Sequence, residues 1–222
     1  GQEIARVGAD LDTGLLLVFA FSGIGFYGPI LGGWASGNKY SLLGSARTAA
    51  QLVSYEVSLG LSVIGVIMLS QSLSRVEIVD AQRETVWYVV LQPLGFLVFV
   101  IAMVAEVNRV PFDLPESESE LVSGYSTEYG GLKYAMFLMA EYINMIVISA
   151  LCATLFLGGF AGPWASGFCW LILKVAIIVF AFIWLRGTLQ RLRYDRLMQL
   201  GRKVLRPLAT VNLVQTAIVI GL

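Results

Sequence analysis

The sequence predicts an all-α protein, a polytopic bundle of six transmembrane helices that forms a single domain over residues 1–222. Three observations predict this fold. Hydrophobic residues make up 57% of the chain, and charged residues only 14%, against about 25% in soluble domains. The mean hydropathy is +0.77. A spanning helix takes about 20 apolar residues, so six spans use more than half of the chain and leave no room for a soluble catalytic domain.

Six stretches have the length and apolar character of spans. In chain order they are residues 13–34, 48–73, 88–108, 134–160, 168–186 and 204–222. The first has no charged residue, and Pro29 within it predicts a kink. The next three each carry one acid, namely Glu56, Glu106 and Glu141. The fifth carries Lys174, whose long side chain is expected to reach the headgroups. The last follows an arginine-rich loop. Gly28 with Gly32, and Gly158 with Gly162, have the small-xxx-small spacing of closely packed helices.

The distribution of Lys and Arg predicts which loops face inward. Alternate loops lie on the same side, and residues 35–47, 109–133 and 187–203, with the helix ends beside them, hold eleven Lys or Arg. The other side holds three. By the positive-inside rule the first side is cytoplasmic, or the matrix side in an organelle. Both chain ends then face outward, and an outward start at Gly1 predicts that the chain is truncated or that an even number of spans precedes it.

The composition excludes several kinds of site. Histidine is absent, which excludes Ser-His-Asp catalysis, His metal ligation and haem held by His within this chain. Cys152 and Cys169 cannot hold an iron–sulfur cluster, which takes four ligands. No metal site is predicted, and any redox cofactor belongs to partners. A net charge of zero gives no indication of nucleic-acid binding.

Glu56, Glu106 and Glu141 are unusual because they fall inside spans. A charged side chain near the bilayer centre costs roughly 2.5 to 3.5 kcal/mol, so we expect all three to face protein or water. At about 1.5 Å per residue, Glu56 and Glu141 lie about 10 to 12 Å from the cytoplasmic ends of their spans, and Glu106 about 3 Å from its own. Two interpretations stay open. The acids are separate carboxylates bonded by neighbours such as Tyr55 and Arg109, or they form one water-filled, proton-conducting cluster entered from the cytoplasm.

The loop at residues 109–133 favours the second interpretation. It carries five acids on the basic side of the membrane, at Asp113, Glu116, Glu118, Glu120 and Glu128. Apolar residues alternate with these acids, which predicts an amphipathic segment that folds onto the protein. Carboxylates gathered in a partly dry cavity repel one another's charge, so they can take up and release protons near neutral pH. The alternative is a solvated surface, which is the commoner role of a charge run.

The stretch from Ala105 to Tyr125 carries a long motif, AEVNRVPFDLPESESELVSGY. It resembles the AE-x-NR-x-PFDLPE-x-E-x-ELV-x-G signature of one family, the quinone-site membrane subunits of NADH-quinone oxidoreductase, or respiratory complex I. The resemblance runs from about residue 10 to the C-terminus. One departure is Ser126, where many members have His. Shorter matches are Gly33-Trp34-Ala35-Ser36, Val53-Ser54-Tyr55-Glu56, Thr127-Glu128-Tyr129, Ala140-Glu141-Tyr142 and Arg193-Tyr194-Asp195.

The resemblance implies roles for particular residues. Members of the family have eight spans and this chain resembles the last six, so the N-terminal spans of the family are expected to be missing. In the family the loop that matches residues 109–133 lines the quinone cavity, which implies quinone-cavity roles for Arg109, Asp113, Glu116, Glu118 and Glu120. Membrane glutamates connect that cavity to a polar axis, which implies proton-coupling roles for Glu56, Glu106, Glu141 and Glu128.

The resemblance also implies partners and a location. The chain is expected to be a subunit of a proton-translocating NADH:quinone oxidoreductase and not to be catalytic alone. Ubiquinone or menaquinone is the implied substrate, and FMN and iron–sulfur clusters are implied only in partner subunits. The implied partners are the quinone-site subunits of the hydrophilic arm, small membrane subunits, antiporter-like subunits and the lipid membrane, with no nucleic acid. The implied location is the inner membrane of a bacterium or of an organelle.

Two alternative functions stay open. The first keeps the fold and changes the partners: the corresponding membrane subunit of an energy-converting hydrogenase or a formate hydrogenlyase. The second is an independent secondary transporter. Transporters tend to have internal repeats and binding sites at the bilayer midplane. This sequence has no evident repeat, and its membrane acids cluster on one side, so the transporter is the weaker alternative.

Overall fold

The computed structural model describes residues 11–113, 124–162 and 167–221. Over these residues the chain is helical and contains no strand, which confirms the all-α class. A 3-10 turn covers Gly124–Ser126, and a π-helix covers Leu200–Leu205. The α-helices in chain order are α1 (Gly14–Gly25), α2 (Tyr27–Ala35), α3 (Lys39–Ser70), α4 (Arg75–Glu84), α5 (Tyr88–Leu91), α6 (Pro93–Glu106), α7 (Gly131–Phe156), α8 (Phe168–Thr188), α9 (Tyr194–Gln199) and α10 (Arg206–Gly221).

The described residues contain five helical segments that are long and apolar enough to cross a membrane. They are Gly14–Ala35, Lys39–Ser70, Gly131–Phe156, Phe168–Thr188 and Tyr194–Gly221. Helix α6 has only 14 residues, which at about 1.5 Å per residue makes it about 21 Å long. The large apolar side chains of α8 are mostly exposed, as expected of a helix that faces lipid. The predicted polytopic membrane bundle is therefore confirmed.

Helix α3 lies at the centre of the bundle and packs against α2, α6 and α10. Its buried apolar residues Tyr55, Leu59, Val63 and Val66 recur every three or four residues and so share one face. That face belongs to a core that also contains Phe99 of α6. Because the acid-bearing segments all pack around α3 or its neighbours, this helix sets the position of the candidate site.

Three predicted loops are partly helical, and the one between the second and third predicted spans contains α4 (Arg75–Glu84). Helix α3 begins at Lys39 rather than at residue 48, because the Asn38 side chain caps it and accepts a hydrogen bond from the Tyr40 N–H at 3.0 Å. Near the other end of the chain, α9 and the π-helix together occupy residues 194–205. This range covers most of the predicted loop at residues 187–203 and the first two residues of the last predicted span. The long membrane segments therefore extend beyond the apolar stretches that hydropathy identifies.

Proline interrupts two of the predicted spans. The helical hydrogen-bond ladder of the first breaks at Phe26, between α1 and α2, because the Pro29 ring excludes the carbonyl of Gly25 four residues earlier. The third predicted span breaks at Gln92, and Pro93 begins α6. There the Gln92 side chain donates to the Thr216 hydroxyl at 2.9 Å, so a polar contact replaces regular helix.

The glycine pairs act only in part as the sequence predicted. In the first pair only Gly32 makes a close contact, since a Cβ there would lie 3.0 Å from Phe137 Cζ of α7. A Cβ at Gly28 would meet nothing within 4 Å, whereas one at Gly33 would lie 2.8 Å from the Ser41 carbonyl. Gly33 is therefore the glycine that lets α2 approach α3. Gly158 has φ +72° and lies in the turn after α7, not in a helix. Its function is to adopt left-handed backbone geometry rather than to form a helix contact.

The prediction that Lys174 reaches the headgroups is wrong. Its side chain is 7% exposed, and its Nζ donates to the carbonyls of Leu157, Gly159 and Ala161 at 2.5, 2.9 and 2.7 Å. The Trp87 ring centroid lies 4.7 Å from the ammonium. Carbonyls at a helix C-terminus lack partners in the helix, and an ammonium has three donors. Lys174 therefore caps the end of α7 from inside the bundle.

Candidate functional site

Two cavities meet at Glu106, the last residue of α6. The smaller one has a volume of about 30 Å³ and is also lined by Ser22, Glu56 and Asn144, with apolar side chains around them. The larger one has a volume of about 580 Å³ and is lined by Glu106, Asn144 and Glu141 together with apolar residues of α1, α2 and α7. Glu106 thus faces both the cavity of Glu56 and the cavity of Glu141.

Glu106 is buried, with 8% of its surface exposed. Its Oε1 accepts a long hydrogen bond of 3.5 Å from the Ser22 hydroxyl. Its Oε2 is buried and has no hydrogen-bond partner among the described residues. Glu56 reaches the same region because Gly23 has no side chain: a Cβ there would lie 3.2 Å from Glu56 Oε1. Two carboxyl groups therefore approach one small cavity.

Glu141 is paired with Arg109. The Nε of Arg109 lies 3.0 Å from Glu141 Oε1, and the two side chains are only 12% and 14% exposed. The Arg109 guanidinium also lies over the Tyr142 ring, 4.6 Å from its centroid. Within the described part of the chain, Arg109 Nη2 is buried without a partner. A residue predicted for the quinone cavity is thus bound directly to one predicted for proton coupling.

Gln51 of α3 holds the segment that carries Arg109. Its amide Nε2 donates to the carbonyls of Ala105 and Phe112 at 2.8 and 2.9 Å, and Asn108 Oδ1 lies 3.1 Å away. These three acceptors lie on both sides of Arg109 in sequence. Because a buried amide is costly unless it is bonded, this arrangement fixes the segment against α3.

Asp113 pairs with Arg191 instead of joining the glutamates. Arg191 Nη2 lies 2.8 Å from Asp113 Oδ2, and the Leu192 N–H donates to the Pro111 carbonyl at 3.0 Å. The chain between α8 and α9 is therefore fixed to the start of the acidic loop. Neither cavity described above is lined by Asp113.

Glu128 lies apart from the other proton-coupling candidates. Its side chain is exposed and accepts a hydrogen bond of 2.7 Å from the amide of Asn38, at the start of α3. It lines neither of the two cavities, and its role stays a prediction. Ser126 is 4% exposed in the 3-10 turn. The three remaining quinone-cavity candidates, Glu116, Glu118 and Glu120, lie outside the described residues.

The structure also adds residues that sequence reasoning missed, namely Ser22, Gln51 and Asn144. One signal was present for Asn144, which follows Glu141 by three residues and so shares its helix face. Ser22 and Gln51 had no comparable signal, because single uncharged polar residues are common in apolar helices. The resulting arrangement can bind water between carboxylates and change its charge by protonation.

The chain is similar to known proteins over nearly its whole length. Residues 2–217 match the model of a family described as NADH dehydrogenase. One of the NADH-quinone oxidoreductase H subunits of Geobacter metallireducens is 53% identical over 97% of this chain and 65% of its own length. The NADH-quinone oxidoreductase H subunit of Thermomicrobium roseum is 53% identical over 99% of this chain and 67% of its own length.

The chain therefore spans about 65% of the length of such relatives. The match over nearly the whole chain confirms the resemblance that the motif at residues 105–125 indicated. The chain belongs to the NADH dehydrogenase family, alongside the proteins named as H subunits of NADH-quinone oxidoreductase.

Proposed function

We propose that the chain is the membrane subunit of a proton-translocating NADH:quinone oxidoreductase. In this proposal it forms part of the quinone-binding cavity and couples quinone reduction to proton movement through Glu56, Glu106 and Glu141. The names of the relatives support the oxidoreductase assignment. The coupling is supported by one observation above all: Glu106 lines both the cavity that Glu56 lines and the cavity that Glu141 lines.

The step from quinone to membrane acids depends on Arg109. Quinone reduction takes up two electrons and two protons, and in the proposal the electrons come from an iron–sulfur cluster of a partner. A negative charge that develops near the loop at residues 109–133 attracts the guanidinium, which otherwise holds Glu141 at 3.0 Å. At a separation of about 6 Å and an effective dielectric constant of about 20, the interaction energy of two unit charges is about 3 kcal/mol. That is enough to change the protonation of a neighbouring carboxyl group, since about 1.4 kcal/mol corresponds to a tenfold change in an equilibrium constant.

The same magnitude sets a limit on this subunit. The interaction falls with distance, so one charge change cannot act across a long membrane arm without intermediate groups. In the proposal, antiporter-like partner subunits carry out pumping farther away. The hydrophilic arm holds FMN and the iron–sulfur clusters, and the loops at residues 35–47, 109–133 and 187–203 face it from the cytoplasmic or matrix side of an inner membrane. Ubiquinone and menaquinone are both compatible with this role.

The test is Glu106→Gln in the assembled complex in membrane vesicles. We expect NADH:quinone activity and the coupled proton uptake to fall, because Gln keeps the shape of the side chain and cannot accept a proton. NADH oxidation by a water-soluble artificial acceptor needs only the partners and should stay normal. Glu77→Gln, an exposed glutamate of α4, is the matched control. Normal quinone-linked rates and proton uptake in Glu106→Gln would contradict the proposal.

A further inference from the structure

The two cavities share a polar wall. Three polar residues line both of them, namely Ser22 of α1, Glu106 of α6 and Asn144 of α7. Glu56 lines only the smaller cavity and Glu141 only the larger one. Among the described residues, a proton that moves between Glu141 and Glu56 through these cavities must therefore pass this wall. Of these three residues, Glu106 can change its charge by protonation, whereas Ser22 and Asn144 stay neutral.

The smaller cavity has the size and the polar groups that one water molecule requires. Its volume of about 30 Å³ exceeds the roughly 10 to 15 Å³ that a water needs, and a buried water typically makes two to four hydrogen bonds. Glu56, Ser22 and Asn144 contribute polar atoms to its lining. Glu106 also lines it, and its Oε2 is a buried oxygen with no hydrogen-bond partner among the described residues. The rest of the lining is apolar, so a water there has only these groups to bond with.

Asn144 is the group best suited to hold such a water during proton transfer. Its amide has both donors and an acceptor, so it can bond a neighbour whether Glu106 is protonated or ionised. It follows Glu141 by three residues on α7, which places both on one face of that helix. If Glu141 moves relative to Arg109, Asn144 therefore moves with it, because the two residues share one turn of the helix.

We propose that Asn144, with Ser22, positions a water that carries a proton between Glu106 and Glu56. Glu106 in its acid form donates its proton to the water, and the water donates one of its own protons to the Glu56 carboxylate. The water is regenerated, Glu106 becomes ionised, Glu56 becomes neutral, and no electron moves. Asn144 is thus a positioning residue. This inference rests on the proposed function, because it assigns one step within the same route.

The test compares Asn144→Leu with Asn144→Ser in the assembled complex. We expect Asn144→Leu to slow NADH:quinone turnover about tenfold, within the range that misplacement of a reacting group produces. The rate ratio between H₂O and D₂O should rise, because proton transfer through the water becomes more rate-limiting. Asn144→Ser replaces the amide with a hydroxyl, which is still polar, and leaves room for a second water, so it should recover much of the rate. NADH oxidation by a water-soluble acceptor should be unchanged in both variants.

Asn212→Leu is the matched control. Its side chain lies near Gly65 and Gly95 and lines neither cavity, so this variant can lower the amount of assembled complex but should leave the isotope ratio of the remainder unchanged. If Asn144→Leu does not assemble, Asn144→Ala takes its place with the same expectation. A normal rate and a normal isotope ratio in Asn144→Leu, or in Asn144→Ala if that variant replaces it, would overturn the inference. If Glu106→Gln is still impaired in that case, the proposed function stands. Normal behaviour in both Asn144→Leu and Glu106→Gln would overturn the proposed function as well.

Discussion

The Arg109–Glu141 ion pair offers the strongest test of how the site is built. The perturbation is a double-mutant cycle of Arg109→Gln, Glu141→Gln and the variant with both changes. At 3.0 Å and an effective dielectric constant of about 20, the attraction is about 5 to 6 kcal/mol. Desolvation of the two ions offsets much of this attraction. Removal of one partner alone should nevertheless destabilise the protein by about 3 to 5 kcal/mol, because the other charge stays buried and loses its counter-charge in this ion pair.

The double variant should be more stable than either single variant. With both charges gone, no buried ion has lost its counter-charge, so the two destabilisations should not add. The assay is the midpoint of thermal unfolding of the purified complex, together with the yield of assembled complex. The chain offers a matched control in Arg193–Asp195, a pair at 3.5 Å whose side chains are 80% and 67% exposed. The same cycle there should give about 0 to 1 kcal/mol.

Activity separates structure from function in the same cycle. The double variant should assemble well yet stay impaired in NADH:quinone turnover, because it lacks the proposed proton-coupling acid. Additive destabilisation in the cycle, or single effects no larger than those of Arg193–Asp195, would refute the view that the pair is desolvated and interdependent.

Two further predictions concern packing and capping. Gly33→Ala should destabilise the protein by about 1 to 3 kcal/mol, because the new Cβ would lie 2.8 Å from the Ser41 carbonyl. The control is Gly60→Ala, at a helical position where a Cβ would meet nothing within 4 Å, and this variant should be neutral or slightly stabilising. Equal thermal midpoints for these two variants would contradict the assigned contact between α2 and α3. Lys174→Met should lower the yield of assembled complex by removing the donor from three carbonyls, since each unsatisfied buried group costs about 1 to 3 kcal/mol. Turnover per assembled complex should stay normal, and a normal yield with slow turnover would instead indicate a functional role for Lys174.

Hydropathy predicted the helical bundle, and the cost of buried charge singled out Glu56, Glu106 and Glu141, which line the two cavities. Both signals are local: a span is a continuous apolar run, and an acid within it needs a polar surrounding whatever the fold. The sequence indicated Arg109 as a possible neighbour of the membrane acids, but which acid it binds was not predictable in this way. Arg109 binds Glu141 across 32 positions of sequence, and only the packed helices bring them together.

The predictions that were wrong, and the residues that were missed, have related physical causes. Lys174 was expected at the headgroups because a lysine near a span end can usually reach them, but the backbone turn at residues 157–161 supplies three unpaired carbonyls closer by. Helix α3 starts at Lys39 because of the Asn38 cap, a signal that a window of average hydropathy does not contain. Gln51 and Asn144 have uncharged amides, which carry too small an insertion cost to stand out among apolar neighbours.

The break at Phe26 makes the wall of the larger cavity compliant. Gly25, Phe26, Gly28 and Pro29 all line that cavity, and a helix bends most easily where its ladder of hydrogen bonds is incomplete. Helices α1 and α2 can therefore tilt by different amounts while α3 keeps its place in the core. We expect this segment to change the width of the cavity, so that a bulky ligand can bind there without displacing the carboxyl groups deeper inside.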